Sequence, residues 1–148
     1  MKGFNAAIIA TGFLITASGM AFAQEATDPD PVKGKQTFNQ CLACHRIGPD
    51  AKALVGLPLT NVIGRKAGSF EGFAYSPLLK AAGDAGLVWS QAAIVDYLVN
   101  PSNYLKKYLT DNGKPDAATG ASKMVYMLAN EGQRKNVVAY VATFSTAK

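Results

Sequence analysis

Cys41-Leu42-Ala43-Cys44-His45 decides how the rest of this 148-residue chain is read. Two thiols three positions apart, with an imidazole directly after the second, form the Cys-x-x-Cys-His pattern through which haem is attached covalently. The spacing has a physical reason. Thiols about one helical turn apart reach the two vinyl groups of one porphyrin as thioethers, and the next residue sets an imidazole beneath the iron. The pattern therefore predicts one haem c per chain, held by Cys41 and Cys44 and ligated by His45.

Two other chemistries use the same thiol spacing. A redox dithiol of the thioredoxin kind belongs in a βαβ context, and a structural zinc site wants two further Cys or His ligands. Neither requirement is met: His45 is the only histidine, and Cys41 and Cys44 are the only cysteines. The same shortage rules out a disulfide framework, so another device must stabilise the domain.

Outward from the motif, Asp30-Pro31 reads as an N-cap followed by proline at the first helical position. A helix starting there puts Gly34, Phe38, Cys41 and Leu42 on one face and is closed by the motif. Residues 46–75 are rich in Gly and Pro and read as loops, with at most a turn or two of helix around Leu59, Val62 and Ile63. Ser76-Pro77 opens a short helix ending near Gly83. Ser90 caps another, apolar at Ile94, Val95, Tyr97 and Leu98, which Asn100-Pro101 stops. The last helix starts at Asn130, with Gln133 placed for a capping box and Val137, Tyr140, Val141 and Phe144 at i, i+3, i+4 and i+7. Between Pro101 and Ala129, the turn formers Asp111-Asn112-Gly113, Pro115 and Gly120 predict a long loop. No alternating run of β-branched residues occurs, so the domain is expected to be all-α.

Residues 1–23 read as an export signal, leaving 24–148 as one domain. Lys2 gives the positive start, Ala6 to Ala17 the apolar stretch and Ala21-Phe22-Ala23 the cleavage site. This stretch of about 12 residues falls short of the roughly 20 that span a bilayer, so cleavage after Ala23 and release into the periplasm are expected rather than membrane anchoring. Gln24 to Asp30 is polar and is expected to fray. Loss of Lys2 lowers the formal charge from +5 to +4. That modest excess suits steering toward an acidic protein partner, and Lys35, Lys106, Lys107 and Lys123 are candidates for it. The lysines are scattered, with no basic run interleaved with aromatics, which argues against nucleic acid.

The sixth iron position is constrained by what remains. Haem axial partners are chiefly His, Cys, Met or Tyr, and Met1 and Met20 leave with the signal, so Met124 and Met127 are the strong candidates, with a lysine or an open site behind them. Gly120-Ala121-Ser122 suggests a loop presenting one sulfur, with Met127 beside Leu128 as packing. His/Met ligation raises the reduction potential and suits an electron carrier, whereas an open site would suit gas binding or peroxidase chemistry.

Over nearly all of residues 33–145 the chain resembles the class I c-type cytochromes, and within them the bacterial cytochrome c2 group. Besides Cys-x-x-Cys-His, the matching motifs are Gly64-Arg65-Lys66, Gly72-Phe73-x-Tyr75-Ser76, Trp89, Tyr97-Leu98-x-Asn100-Pro101, Lys123-Met124-x-Tyr126 and Ala139-Tyr140-Val141. The resemblance implies that Met124 is the distal ligand, that Tyr75 and Trp89 hydrogen-bond a propionate with Arg65 nearby, and that Tyr97 lies close to the methionine sulfur. It further implies a crossing of the first and last helices, with Gly34 and Phe38 meeting Val137 and Tyr140, around a haem-centred core. Where the family commonly has Gly-Pro, this chain has Gly56-Leu57, with Leu57 offering its carbonyl to the proximal imidazole. The connection from Pro101 to Lys123 is long, resembling the enlarged loop of some cytochrome c2 proteins, and positions 105–120 receive no implied role. The implied function is that of a monomeric periplasmic carrier, not an enzyme, shuttling electrons between a quinol:cytochrome c oxidoreductase and an oxidase or photosynthetic reaction centre.

Overall fold

The computed structural model describes residues 28–146. The export signal 1–23, its cleavage site and the start of the polar segment 24–30 lie outside the described residues.

Asp30 begins the structure as the sequence predicts. Its carboxylate accepts the N–H groups of Val32 and Lys33, and Pro31 fills the first position of helix α1 (Pro31–Phe38). Helix α1 ends at Phe38, before the cysteines. The attachment motif lies in the tight turns that follow, with the Cys41 N–H bonded to the Phe38 carbonyl at 2.8 Å. This departure from one continuous helical face explains Leu42, which is 40% exposed while Gly34 and Phe38 are buried.

Three further helices have capped starts that the sequence marks. Ser76 caps α2 (Pro77–Asp84) through the Leu79 N–H, Ser90 caps α3 (Gln91–Tyr97) through Ala93, and Asn130 caps the C-terminal helix (Glu131–Ala142) through Gln133. Between α3 and that last helix the sequence expectation fails. Pro101–Asp111 is not a loop but an 11-residue helix, α4, and the C-terminal helix is therefore α5.

The reason lies in Asn100-Pro101, which stops α3 and starts α4 at once. The Asn100 side chain accepts the Asn103 N–H at 3.0 Å, and proline at the first helical position costs no hydrogen bond. Leu105 and Leu109, four apart, are completely buried, and Pro101 is buried with them. Lys107 and Asp111 pair at 2.7 Å on the solvent side. The turn formers Asn112-Gly113 end this helix, and Pro115–Ala117 adds one 3-10 turn. No strand occurs among the described residues, only an isolated antiparallel bridge between Lys66 and Val88.

Helix α5 packs on α1 and α3, while α4 packs on α2 and α3. The α1/α5 crossing is close because Gly34 has no side chain. A Cβ there would lie 1.9 Å from the Asn136 carbonyl oxygen and 2.9 Å from the Tyr140 Cβ. Phe38 and Tyr140 meet beside it with ring centroids 5.3 Å apart. The nearest partner of Gly34 is thus the backbone of Asn136, one residue before the expected Val137, which is buried in the core. Asn136 also accepts the Asp30 N–H at 2.8 Å, locking the start of α1 onto α5.

Gly34→Ala is expected to force the two helices apart and destabilise the protein by about 1–3 kcal/mol, measured by denaturant unfolding. An unchanged midpoint would show that the crossing yields freely.

Candidate haem and electron-transfer site

The helices and the loops between them wall a cavity of about 690 Å³. That lies within the roughly 300–1,000 Å³ typical of small-molecule and cofactor sites. Cys41, Cys44, His45, Arg65, Tyr75, Trp89, Tyr97 and Met124 all line it, so the fold gathers every site residue read from the sequence into one chamber.

The attachment turn is fixed by the Cys44 and His45 N–H groups, both bonded to the Cys41 carbonyl. Burial, with the neighbouring Cys44 adding to it, pushes the Cys41 thiol up to about 11. Redox dithiols of the thioredoxin kind work with a lowered thiol pKa, so this environment speaks against that chemistry.

His45 is held from two directions. Its Nδ1 lies 2.7 Å from the Leu57 carbonyl, and because a carbonyl only accepts, Nδ1 carries the proton and Nε2 keeps its lone pair for an iron. Burial lowers the His45 pKa, which favours the neutral ring that binds metal. Leu57 thus supplies the carbonyl that the family commonly takes from proline.

Gly56 supports the same ring and has no role in the sequence reading. A Cβ there would lie 2.4 Å from His45 Cε1, and the Gly56 N–H bonds the Cys44 carbonyl at 2.9 Å. The signal was present as a glycine, but nothing in one sequence shows that an imidazole lies across it.

Arg65 and Trp89 are brought together by backbone pairing around the Lys66–Val88 bridge. The Trp89 N–H bonds the Arg65 carbonyl at 2.9 Å, and the Gly64 N–H bonds the Trp89 carbonyl at 2.7 Å. The Arg65 guanidinium donates to the carbonyls of Pro58 and Thr60 and lies over the Phe70 ring, 5.2 Å from its centroid. Half-burial lowers its pKa, but an arginine remains charged. The Tyr75 hydroxyl accepts the Phe70 N–H at 3.0 Å, leaving its own proton free to donate. Burial raises the Tyr75 pKa, keeping it a phenol. Trp89 packs edge-on against Tyr97, with centroids 4.9 Å apart.

On the methionine side, Tyr97 and Ser122 share a buried hydrogen bond of 3.0 Å, and the Met124 N–H donates to the same Ser122 oxygen at 3.1 Å. Tyr97 therefore orients the methionine loop through Ser122, which the sequence reading took only as part of the loop. The Ser122 N–H is tied to the Ser102 hydroxyl on α4 at 3.0 Å, so the unexpected helix anchors this loop. Lys123 donates to the Ala74 carbonyl at 2.6 Å, beside Tyr75. Met124 is half-buried. Met127 departs from expectation, because it also lines the cavity and is 56% exposed, while Leu128 beside it is buried.

The comparisons with known proteins agree with this geometry. No family model matches the chain. Cytochrome c2 iso-1 of Rhodospirillum centenum is 58% identical over 118 residues, covering 80% of this chain and 98% of that protein. A cytochrome c2 of Rhodopseudomonas palustris is 56% identical over 114 residues, covering 77% and 97%. The chain belongs to the cytochrome c2 family. A solved structure of cytochrome c2 from Rhodospirillum centenum superposes with a TM-score of 0.78 at 51% identity, covering 79% of this chain and 99% of that one. The ferricytochrome c2 of Rhodopseudomonas palustris gives 0.74 at 52% identity, covering 78% and 99%. Cytochrome c2 proteins are c-type cytochromes that carry electrons and are not enzymes in the usual sense, and the family implies a haem c. No helix among the described residues is long and apolar enough to cross a membrane.

Gly56→Ala is expected to push the His45 ring off the Leu57 carbonyl and cost about 1–3 kcal/mol of stability. The 15N shift of His45 Nδ1 reports the hydrogen bond. An unmoved shift would show that the loop yields and the ring does not.

Proposed function

We propose that the chain carries one covalent haem c, with Cys41 and Cys44 as thioether links and His45 and Met124 as axial ligands. The observation that carries the reading is a single cavity lined by both thiols, a methionine and an imidazole whose Nδ1 is engaged by Leu57 while Nε2 stays available. When bound, the haem supplies an iron that takes up and releases one electron. The protein does the rest. His45, oriented by its bond to Leu57, would offer Nε2 to the iron, and Ser122 positions the Met124 segment. Arg65, Tyr75 and Trp89 would offer a cation and hydrogen-bond donors to its propionates, and the mainly apolar walls with a soft thioether would favour the ferrous state.

Residues 1–23 serve as the export signal and 24–148 as the mature domain, which acts as a monomer in the periplasm. The mature protein shuttles between a quinol:cytochrome c oxidoreductase and an oxidase or photosynthetic reaction centre by transient electrostatic docking. Lys35, Lys106 and Lys123 form no ion pair among the described residues and are available for steering. Lys107 is a weaker candidate than its sequence position suggests, since Asp111 offsets its charge at 2.7 Å.

Met124→Ala is expected to abolish the sulfur-to-iron charge-transfer band of the ferric holoprotein and lower its potential, whereas Met127→Leu leaves both nearly unchanged. The reverse pattern in the visible spectrum and redox titration would assign Met127 instead.

Electron exchange with the membrane partner is expected to slow as salt rises, because the Debye length shortens from about 30 Å at 0.01 M to about 10 Å at 0.1 M. Stopped-flow rates that stay constant over that range would show that docking is not electrostatic.

A further inference from the structure

The methionine loop is fastened unevenly. At its entry Met124 is bonded to Ser122, and at its exit the Leu128 N–H bonds the Leu98 carbonyl at 2.9 Å. Arg134 of α5 reinforces the exit by donating to the Leu128 and Ala129 carbonyls at 2.8 and 2.7 Å. Between these anchors Val125 is 82% exposed and Met127 is 56% exposed. Residues 125–127 make one hydrogen bond among the described residues, from the Tyr126 hydroxyl to Gln40 Oε1. Gln40 directly precedes Cys41, and both Gln40 and Tyr126 line the cavity. A bond between residues 86 apart in sequence thus joins the segment after one proposed iron ligand to the turn that bears the attachment cysteines.

We infer that Tyr126 and Gln40 are positioning residues forming a latch across the cavity mouth, which holds the Met124 loop closed and sets how readily the sulfur gives way to another ligand. The inference rests on the reading of Met124 as axial ligand. The loop has two states, closed with sulfur on the iron and lifted, and an outside ligand reaches the iron only in the second. Its apparent affinity therefore scales with the lifted fraction. The latch biases that equilibrium without touching the iron. Because both side chains are on the surface, water satisfies them when the bond opens, so its loss shifts the loop without leaving a buried polar group unpaired.

The test is imidazole binding to the ferric holoprotein, followed through the sulfur-to-iron charge-transfer band, in Tyr126→Phe, Gln40→Leu and the double variant. Loss of one hydrogen bond is expected to raise the apparent imidazole affinity about two- to ten-fold in each single variant. The double variant should bind no more tightly than the tighter single, because both substitutions remove the same bond. Affinities equal to the unsubstituted protein's, or a double variant whose gain is the product of the singles, would overturn the latch alone. Absence of the band from the unsubstituted ferric protein would overturn the Met124 assignment and the latch with it. A change confined to the thermal midpoint, with imidazole affinity unmoved, would make the pair structural and also overturn the latch.

Discussion

The close crossing of α1 and α5 at Gly34 is the constraint on which the rest of the structure depends. With the Asn136 carbonyl where a side chain would otherwise stand, the two helices approach to backbone contact, and Phe38 and Tyr140 fill the angle beside it. Because α1 ends at Phe38, this crossing also fixes where the attachment turn leaves the helix and directs its thiols into the cavity. Without disulfides, the chain relies on this contact between its two ends to join the attachment motif to the remaining helices.

The two sides of the cavity are built on different principles. Around His45 everything is short-range and rigid: the imidazole is trapped between a carbonyl that bonds it and a glycine that leaves it room, twelve and eleven residues along the chain. Around Met124 the ties are long-range, running to Tyr97 of α3, Ser102 of α4, Ala74 and, through Tyr126, Gln40. A thioether is a weak ligand on a flexible stem, so its placement rests on the loop that carries it. On the proposed Met124 ligation, a loop tied to α3, α4 and two further segments would hold the sulfur in place.

Helix α4 shows how a fold feature becomes part of a site. Its buried Leu105 and Leu109 belong to the core, yet its first turn supplies Ser102, whose hydroxyl accepts from the Ser122 backbone and so sets the approach of the methionine loop. The enlarged connection after Pro101 is thus a structural support for the distal side. Its polar outer face, where Lys107 pairs with Asp111, hid the helix from a reading based on turn formers.

Local chemistry made much of this protein legible in its sequence. Cys41, Cys44 and His45 declare their cofactor because haem attachment needs three groups within five residues, and Asp30, Ser76, Ser90 and Asn130 declare helix starts because a cap acts on the next turn of its own chain. For a second iron ligand, elimination left Met124 and Met127 as the strong candidates, with a lysine or an open site behind them. What only the tertiary structure decided are contacts made by packing: Gly56 against His45 across a loop, Ser122 between Tyr97 and Met124, Tyr126 bonded to Gln40, and Met127 exposed at the cavity rather than packed in the core. The physical reason is one of range. Caps, turns and thioether spacing are set by bonds a few residues long, whereas a hydrogen bond between residues 86 apart exists only once helix packing has brought its two ends together.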